Sequence, residues 1–183
     1  MVKLISTVCF GALLVSSLSA RDIKDSETFI GVEVGYSSVQ GDRLLGGVNG
    51  ISSPNYSDSN INYGIHLGAQ NGDWRTTLLY NYYNNDVSNQ NLETGLLTVD
   101  YFFTKNKPSS FSFRPYLGVN IGYGNYESTN LPNGNGMLYG AEAGFVVDIT
   151  DNIDVDVSYR HSFSNISIFN HTGGVVFGVN YIY

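Results

Sequence analysis

The sequence predicts an all-β protein, an eight-stranded antiparallel up-and-down barrel that crosses a membrane. Three observations carry this prediction. Segments of about ten residues alternate between apolar and polar side chains, as the strands of a membrane barrel do. Turn-forming residues separate the segments, and the number of segments is even, as in bacterial single-chain barrels. The last segment ends on an aromatic residue, Tyr183.

The C-terminal segment 173–183 shows the alternation most clearly. Only Val176 and Ile182 interrupt an inward set of glycine and asparagine. The outward set is Val175, Phe177, Val179, Tyr181 and Tyr183. Such a strand is typical of a membrane barrel, because its outer face meets lipid and its inner face meets a polar lumen.

The other seven predicted strands follow the same rule. They span residues 29–37, 60–70, 74–83, 92–103, 113–123, 138–149 and 153–163. Their outward positions carry mainly Val, Leu, Ile and Ala in the middle, and their inward positions carry Gly, Asn, Ser and charged residues. Aromatic residues collect near both ends of the outward face, as they do at the two interfaces of a membrane.

The predicted connections alternate in length. Tight turns are expected at 71–73 and 150–152, and an intermediate connection at 104–112. The other four connections are longer and rich in Asn, Ser and Gly: 39–59, 84–91, 124–136 and 164–172. Short turns on one side and long loops on the other place both termini in the periplasm.

Residues 1–20 have the pattern of a secretory signal peptide. Lys3 precedes the apolar run 4–15, and small residues follow up to a cleavage site after Ala20. The barrel domain would then span 21–183. The apolar run is shorter than the about 20 residues that a spanning helix needs. Cys9, the only cysteine, lies in this leader, so the mature chain has no thiol for a disulfide, thiolate catalysis or a zinc-cysteine site.

The charge balance argues against nucleic-acid binding. The chain has 16 Asp and Glu residues against 9 Lys and Arg, a net charge of -7, and losing Lys3 with the leader makes it more acidic. Nucleic-acid binding needs a basic face. No metal cluster and no cofactor motif is found: His66 points inward, His161 points outward, and His171 is expected in a loop.

The inward charges predict an ion-pair network that fills the lumen, because an eight-stranded barrel is narrow and buried charges must pair. Glu142 and Arg160 are expected to lie close together across one hairpin. Arg75, Asp148 and Asp154 are further inward charges. The predicted network is Glu33, His66, Asp100, Arg114, Glu142, Asp156 and Arg160. A gate or narrow ion path built on Arg160 is the alternative interpretation.

Four segments resemble the OmpA-like outer membrane protein β-barrel family, often labelled the porin family. They are 114–123, 139–145, 157–160 and 178–183. In that family the terminal aromatic is the signal that the barrel-assembly machinery reads, which here implies Phe177, Val179, Tyr181 and Tyr183. The chain stops at the barrel, so the resemblance does not extend to a peptidoglycan-binding domain.

Three other interpretations compete with this one. A soluble, secreted β-sandwich would not be expected to place its outward aromatic residues near the two ends of its strands. A small-solute channel is the main alternative function. The run His161 to Asn165 also faintly resembles the motif of outer-membrane lipid A deacylases, but Ser164 should face inward while His161 faces outward.

We therefore expect a non-enzymatic, monomeric protein of the Gram-negative outer membrane. Its role would be structural or would depend on contacts through surface loops, with 39–59 as the main contact surface. Its expected partners are outer-membrane lipid, lipopolysaccharide and the barrel-assembly machinery, and no nucleic acid or cofactor.

Overall fold

The protein folds as a closed barrel of eight antiparallel strands, which confirms the predicted fold class. The computed structural model describes residues 26–41, 56–85, 89–103, 112–129, 133–166 and 169–183. The strands are β1 (Ser26–Gly41), β2 (Tyr56–Asn71), β3 (Trp74–Asn85), β4 (Gln90–Phe102), β5 (Ser112–Ser128), β6 (Gly134–Thr150), β7 (Ile153–Ile166) and β8 (Phe169–Ile182). Within those ranges, no helix has the length and apolar character needed to cross a membrane. The predicted signal peptide lies outside the described residues and stays a prediction.

The barrel has two different ends. The turn end carries the start of β1, the end of β8 and the connections 72–73, 103–111 and 151–152. The loop end carries the connections 42–55, 86–89, 129–133 and 167–168. The tight turn after β2 depends on Gly72, whose φ of 57° lies in the left-handed region that glycine adopts without steric cost.

The strands continue further toward the loop end than the sequence predicted. β1 and β2 pair up to Gly41 and Tyr56, and β5 and β6 pair up to Tyr126 and Gly134. The four connections lie where they were predicted, but they are shorter: 42–55, 86–89, 129–133 and 167–168 instead of 39–59, 84–91, 124–136 and 164–172. The hydrogen bonds between strands continue beyond the residues whose side chains alternate between apolar and polar. The Ser, Asn and Gly residues in these outer parts of the strands look like loop residues in the sequence.

The barrel is apolar outside and polar inside, the inverse of a water-soluble protein. Outward Val32, Ile65 and Val119 are each about 60% exposed (59%, 62% and 62%). Inward Arg75 and Asp100 are buried, at 5% and 0% exposure. Aliphatic side chains in this position are stable only if the surrounding solvent is itself apolar.

Outward aromatic side chains form contacts near the turn end. The rings of Trp74 and Tyr101 lie 5.1 Å apart, and Tyr101 and Phe103 lie 5.7 Å apart, both pairs edge to face. Phe113 and Phe145 form another pair at 4.9 Å. At the other end Tyr36, Tyr82, Tyr123, Tyr139 and Phe163 are exposed on the outer surface. This distribution matches the two interfaces of a bilayer.

Pairing of β1 with β8 closes the barrel, from Phe29 opposite Ile182 to Gln40 opposite His171. At the turn end Tyr183 donates its backbone N–H to the Thr28 carbonyl at 3.0 Å, and Thr28 Oγ1 donates to the Tyr183 carbonyl at 3.2 Å. The C-terminal residue is thus held by the first strand.

Candidate functional site: the lumen of the barrel

Arg160 connects three strands across the middle of the lumen. Its Nε donates to Glu142 Oε2 at 2.5 Å on neighbouring β6. Its Nη1 and Nη2 donate to the two carboxylate oxygens of Glu33 on β1, at 2.8 and 3.3 Å. The strand between β7 and β1 is β8, and the inward residues opposite Arg160 and Glu33 are Gly174 and Gly178. Because these glycines have no side chains, the guanidinium and the carboxylate meet across β8.

Arg75 forms a second set of ion pairs nearer the turn end. Its Nε donates to Asp100 Oδ2 at 2.8 Å across the β3–β4 hairpin, and its Nη1 lies 2.8 Å from Asp156 Oδ2 on β7. The guanidinium also lies over the Tyr116 ring, 4.5 Å from its centre, and 5.2 Å from that of Phe102. Tyr116 donates its hydroxyl to Asp156 Oδ1 at 2.8 Å. Arg75 therefore has both charged and aromatic partners in a buried position.

Arg114 forms a third set close to the turn end. Its Nη2 lies 2.7 Å from Asp148 Oδ1 and 4.0 Å from Asp154 Oδ2. Its guanidinium lies 4.8 Å from the centre of the Phe102 ring. Phe102 is thus packed between the guanidinium groups of Arg75 and Arg114, and each of these arginines forms an ion pair with an aspartate.

Asn180 and His66 link these sets. Asn180 donates its Nδ2 to Asp154 Oδ1 at 2.6 Å, and its Oδ1 forms a short hydrogen bond with His66 Nε2. His66 Nδ1 lies 3.5 Å from Glu33 Oε2. Through these two side chains the pairs at the turn end join those in the middle of the barrel.

The network contains more carboxyl groups than guanidinium groups. The carboxyl groups are Glu33, Asp100, Glu142, Asp148, Asp154 and Asp156, against Arg75, Arg114 and Arg160. Each guanidinium lies near two of these carboxyl groups, so three cations are shared among six carboxyl groups.

The loop half of the lumen contains a cluster of apolar side chains, which lies among buried polar residues such as Asn62, Asn81 and Thr94. We call this group the loop-end cluster: Val39, Leu79, Tyr83, Leu92, Leu96, Tyr126, Leu138 and Ile166. All of them are at most 5% exposed. Two small cavities lie inside the described barrel, of about 40 and 20 Å³, enough for only a few water molecules. Neither of these two cavities is large enough to hold a solute.

Six of the seven residues of the predicted network have a charged partner within that set or on Arg75. Arg160 contacts Glu33 and Glu142, His66 lies beside Glu33, and Asp100 and Asp156 share Arg75. Arg114 instead pairs with Asp148, outside the set. Arg75 was left out of the predicted set, although its register opposite Asp100 would have shown the pair.

Tyr116 was missed altogether. Its position two residues after Arg114 puts it on the inward face of β5, and this parity was the signal that could have found it.

The residues implied by the resemblance as a C-terminal assembly signal all lie on the outer surface. Phe177, Val179, Tyr181 and Tyr183 are 46%, 38%, 54% and 72% exposed. Their side chains are accessible to any molecule that contacts the outside of β8. Their role in assembly stays a prediction.

The residues of the deacylase alternative do not form a catalytic arrangement. Ser164 Oγ accepts the backbone N–H of Ile166 at 3.0 Å, and Ser162 donates to Asn120 Oδ1 inside the barrel at 2.8 Å. His161 lies on the outward face between Phe163 and His171. No group of three or more His, Cys, Asp or Glu in the described residues can hold a metal ion.

The comparisons with known proteins agree with this architecture. No family model matches the chain, and no curated protein matches it. Among solved structures, Neisserial surface protein A aligns with a TM-score of 0.69 at 17% identity, over 87% of this chain and 100% of that one. The fold is that of the eight-stranded outer-membrane barrels.

Two Pseudomonas aeruginosa proteins extend the comparison. Outer membrane protein H aligns with a TM-score of 0.57 at 16% identity, over 86% of this chain and 99% of that one. Outer membrane protein OprG aligns with a TM-score of 0.54 at 17% identity, over 88% and 99%. The resemblance noted in the sequence is confirmed at the level of the fold.

Proposed function

We propose that the protein is an integral protein of the Gram-negative outer membrane, a monomeric barrel closed to solutes that makes its specific contacts at the loop end. The observation that supports this is the inversion of polarity between an exposed aliphatic wall and a buried charged lumen. An apolar wall of this kind is stabilised by lipid, and the ion pairs inside need no access to water.

Membrane residence is tested by fractionation and gel mobility. The protein should stay in the outer-membrane fraction, resist extraction by urea, and migrate differently on a detergent gel with and without heating, because a closed barrel keeps its fold in detergent. Recovery of folded protein from the periplasm without detergent would contradict the proposal.

A closed lumen, rather than a channel, is supported by the loop-end cluster and the charged network, which fill successive parts of the barrel. The test is conductance of the purified protein in planar bilayers. We expect no steady openings. Steady openings that change in Arg160→Ala would establish the small-solute channel instead.

Surface contacts are proposed for the connection 42–55 between β1 and β2, which is the longest connection by the strand bounds. It lies outside the described residues, so the argument rests on its length and position: long connections on rigid barrels carry recognition. Replacing it with a short Asn-Gly turn should abolish adhesion or phage binding of cells that carry the protein. The matched control replaces 129–133 in the same way, and equal effects of both changes would contradict the assignment.

Assembly is proposed to depend on the C-terminal strand, whose exposed side chains include Tyr183. The partners are the barrel-assembly machinery, lipid and lipopolysaccharide. Deleting Tyr183 should lower the amount of folded protein in the outer membrane. Thr28→Val serves as a control, because it removes the hydrogen bond to the Tyr183 carbonyl and leaves the aromatic ring in place.

A further inference from the structure

Two histidines lie side by side on the outer surface at the loop end. His161 on β7 and His171 on β8 have ring centres 5.1 Å apart and ring planes 38° apart. The prediction that His171 sits in a loop is wrong, because β8 begins at Phe169 and includes it. Phe163, paired directly with His171, belongs to the aromatic residues at this rim, so the two imidazoles lie at the same level as the rim.

The residue opposite His161 is Gly173, whose missing side chain leaves room for atoms from β7. A Cβ atom at Gly173 would meet His161 Nδ1 at 2.5 Å and the Tyr159 hydroxyl at 3.1 Å. Two polar atoms from β7 therefore point over this glycine, next to His171 on the same face of β8. Phe163 packs edge-on against His161 with ring centres 4.8 Å apart, which restricts the orientation of that imidazole.

This spacing is compatible with two imidazoles that share a metal ion. Metal–nitrogen distances of about 2.0–2.1 Å and a tetrahedral angle place the ring centres of two histidine ligands about 5 Å apart. The observed 5.1 Å between the two ring centres is close to that distance. Two protonated imidazoles at this distance would repel each other, whereas two neutral ones present lone pairs to a cation.

We propose that His161 and His171 bind a divalent transition-metal ion of the class that prefers imidazole, namely Zn²⁺, Ni²⁺ or Cu²⁺. The Tyr159 hydroxyl faces the same space, and water completes the coordination. Ca²⁺ and Mg²⁺ are disfavoured because they prefer oxygen ligands. With only two histidine ligands, the site holds an exchangeable ion that links β7 to β8 at the loop end.

The test uses the predicted mature chain 21–183, which lacks the thiol of Cys9, without an affinity tag; it is refolded in detergent and titrated calorimetrically with NiCl₂ and with ZnCl₂. The chain has three histidines, and the third, His66, is 7% exposed inside the lumen. We expect one ion per barrel, binding about tenfold or more weaker in His161→Gln and in His171→Gln, and no binding in the double variant. Unchanged binding in the double variant, or no binding by the native chain, would overturn the proposal.

Two further measurements separate loss of the site from loss of the fold. Each variant must keep the heat-dependent gel mobility of the native barrel, and Tyr82→Ala, an outward change on β3, should bind metal like the native protein. Zn²⁺ should raise the unfolding temperature of the native barrel and leave that of the double variant unchanged, because only the native barrel binds it. Displacement of the ion by equimolar Ca²⁺ would contradict an imidazole site.

Discussion

The two halves of the lumen are filled by different kinds of side chain. From the middle to the turn end, three arginines and their carboxylate partners form a connected network. Toward the loop end, the loop-end cluster supplies buried apolar side chains among polar but uncharged ones such as Asn81 and Thr94. The stability of the charged half depends on pairing, because removing one charge leaves its partners buried and unpaired. The stability of the apolar cluster depends on close packing, because truncating one side chain leaves a cavity.

This difference shows that the barrel does not need one continuous polar lumen to span a membrane. What the membrane requires is an apolar outer surface and a closed ladder of backbone hydrogen bonds. The interior is then free to be filled in either way. Four substitutions test the two halves, beginning with the largest expected effect.

Arg160→Met should have the largest effect on stability. It leaves Glu33 and Glu142 buried without their guanidinium partner, which costs about 3–5 kcal/mol in the free energy of unfolding. Urea unfolding in detergent, followed by the fluorescence of the single tryptophan Trp74, measures it. The matched control adds Glu33→Gln and Glu142→Gln, which should recover part of the loss. A single variant as stable as the native barrel would show that this network carries no stability.

Leu138→Ala tests the apolar half. Leu138 is completely buried in the loop-end cluster, and truncation should cost about 2–5 kcal/mol through lost burial and a new cavity. Its neighbour Met137 is 48% exposed on the outer surface. Met137→Ala is therefore the control for the same measurement. Equal effects of the two truncations would mean that the loop half is not packed as described.

Tyr116→Phe and Tyr123→Phe compare the same change at two places on β5. The Tyr116 hydroxyl is buried and donates to Asp156 at 2.8 Å, so its removal should cost about 1–3 kcal/mol. The Tyr123 hydroxyl donates to Asn135 at the exposed rim, also at 2.8 Å, and its removal should cost less than about 1 kcal/mol. Urea midpoints of both variants measure the difference. A larger loss in Tyr123→Phe would reverse this assignment.

The smallest expected effect is on conductance. Because the two halves fill different levels of the lumen, Arg160→Met alone should leave the barrel closed in planar bilayers, and so should Leu138→Ala alone. Steady openings in either single variant would show that one half provides the whole seal. The conductance of the variant that carries both changes should then be compared with that of each single variant.

The alternating pattern of the sequence was sufficient to predict which side chains face outward and which face inward in the wall of the barrel. Strand parity placed Val119 outward and Asp100 inward, and turn chemistry located the connection at Gly72. These features depend on neighbours one or two residues apart, which is the range over which a period-2 pattern acts. The extent of the strands at the loop end was not predictable in this way, because polar outward residues there resemble a loop.

The partners inside the lumen were only partly predictable. The hairpin pair of Glu142 and Arg160 follows from local register. The contact of Arg160 with Glu33 depends on closure between β1 and β8, which brings together residues 127 positions apart. The same closure sets Asp156 of β7 against Arg75 of β3.

The sequence by itself determined which residues face lipid and which face the lumen, because alternation along a strand is a local property of the backbone. Only the tertiary structure decided which charges meet across the barrel, that an apolar cluster forms in the loop half, and that His171 lies beside His161. Those outcomes depend on barrel closure and on how far each ladder continues, and both depend on contacts between residues distant in the chain.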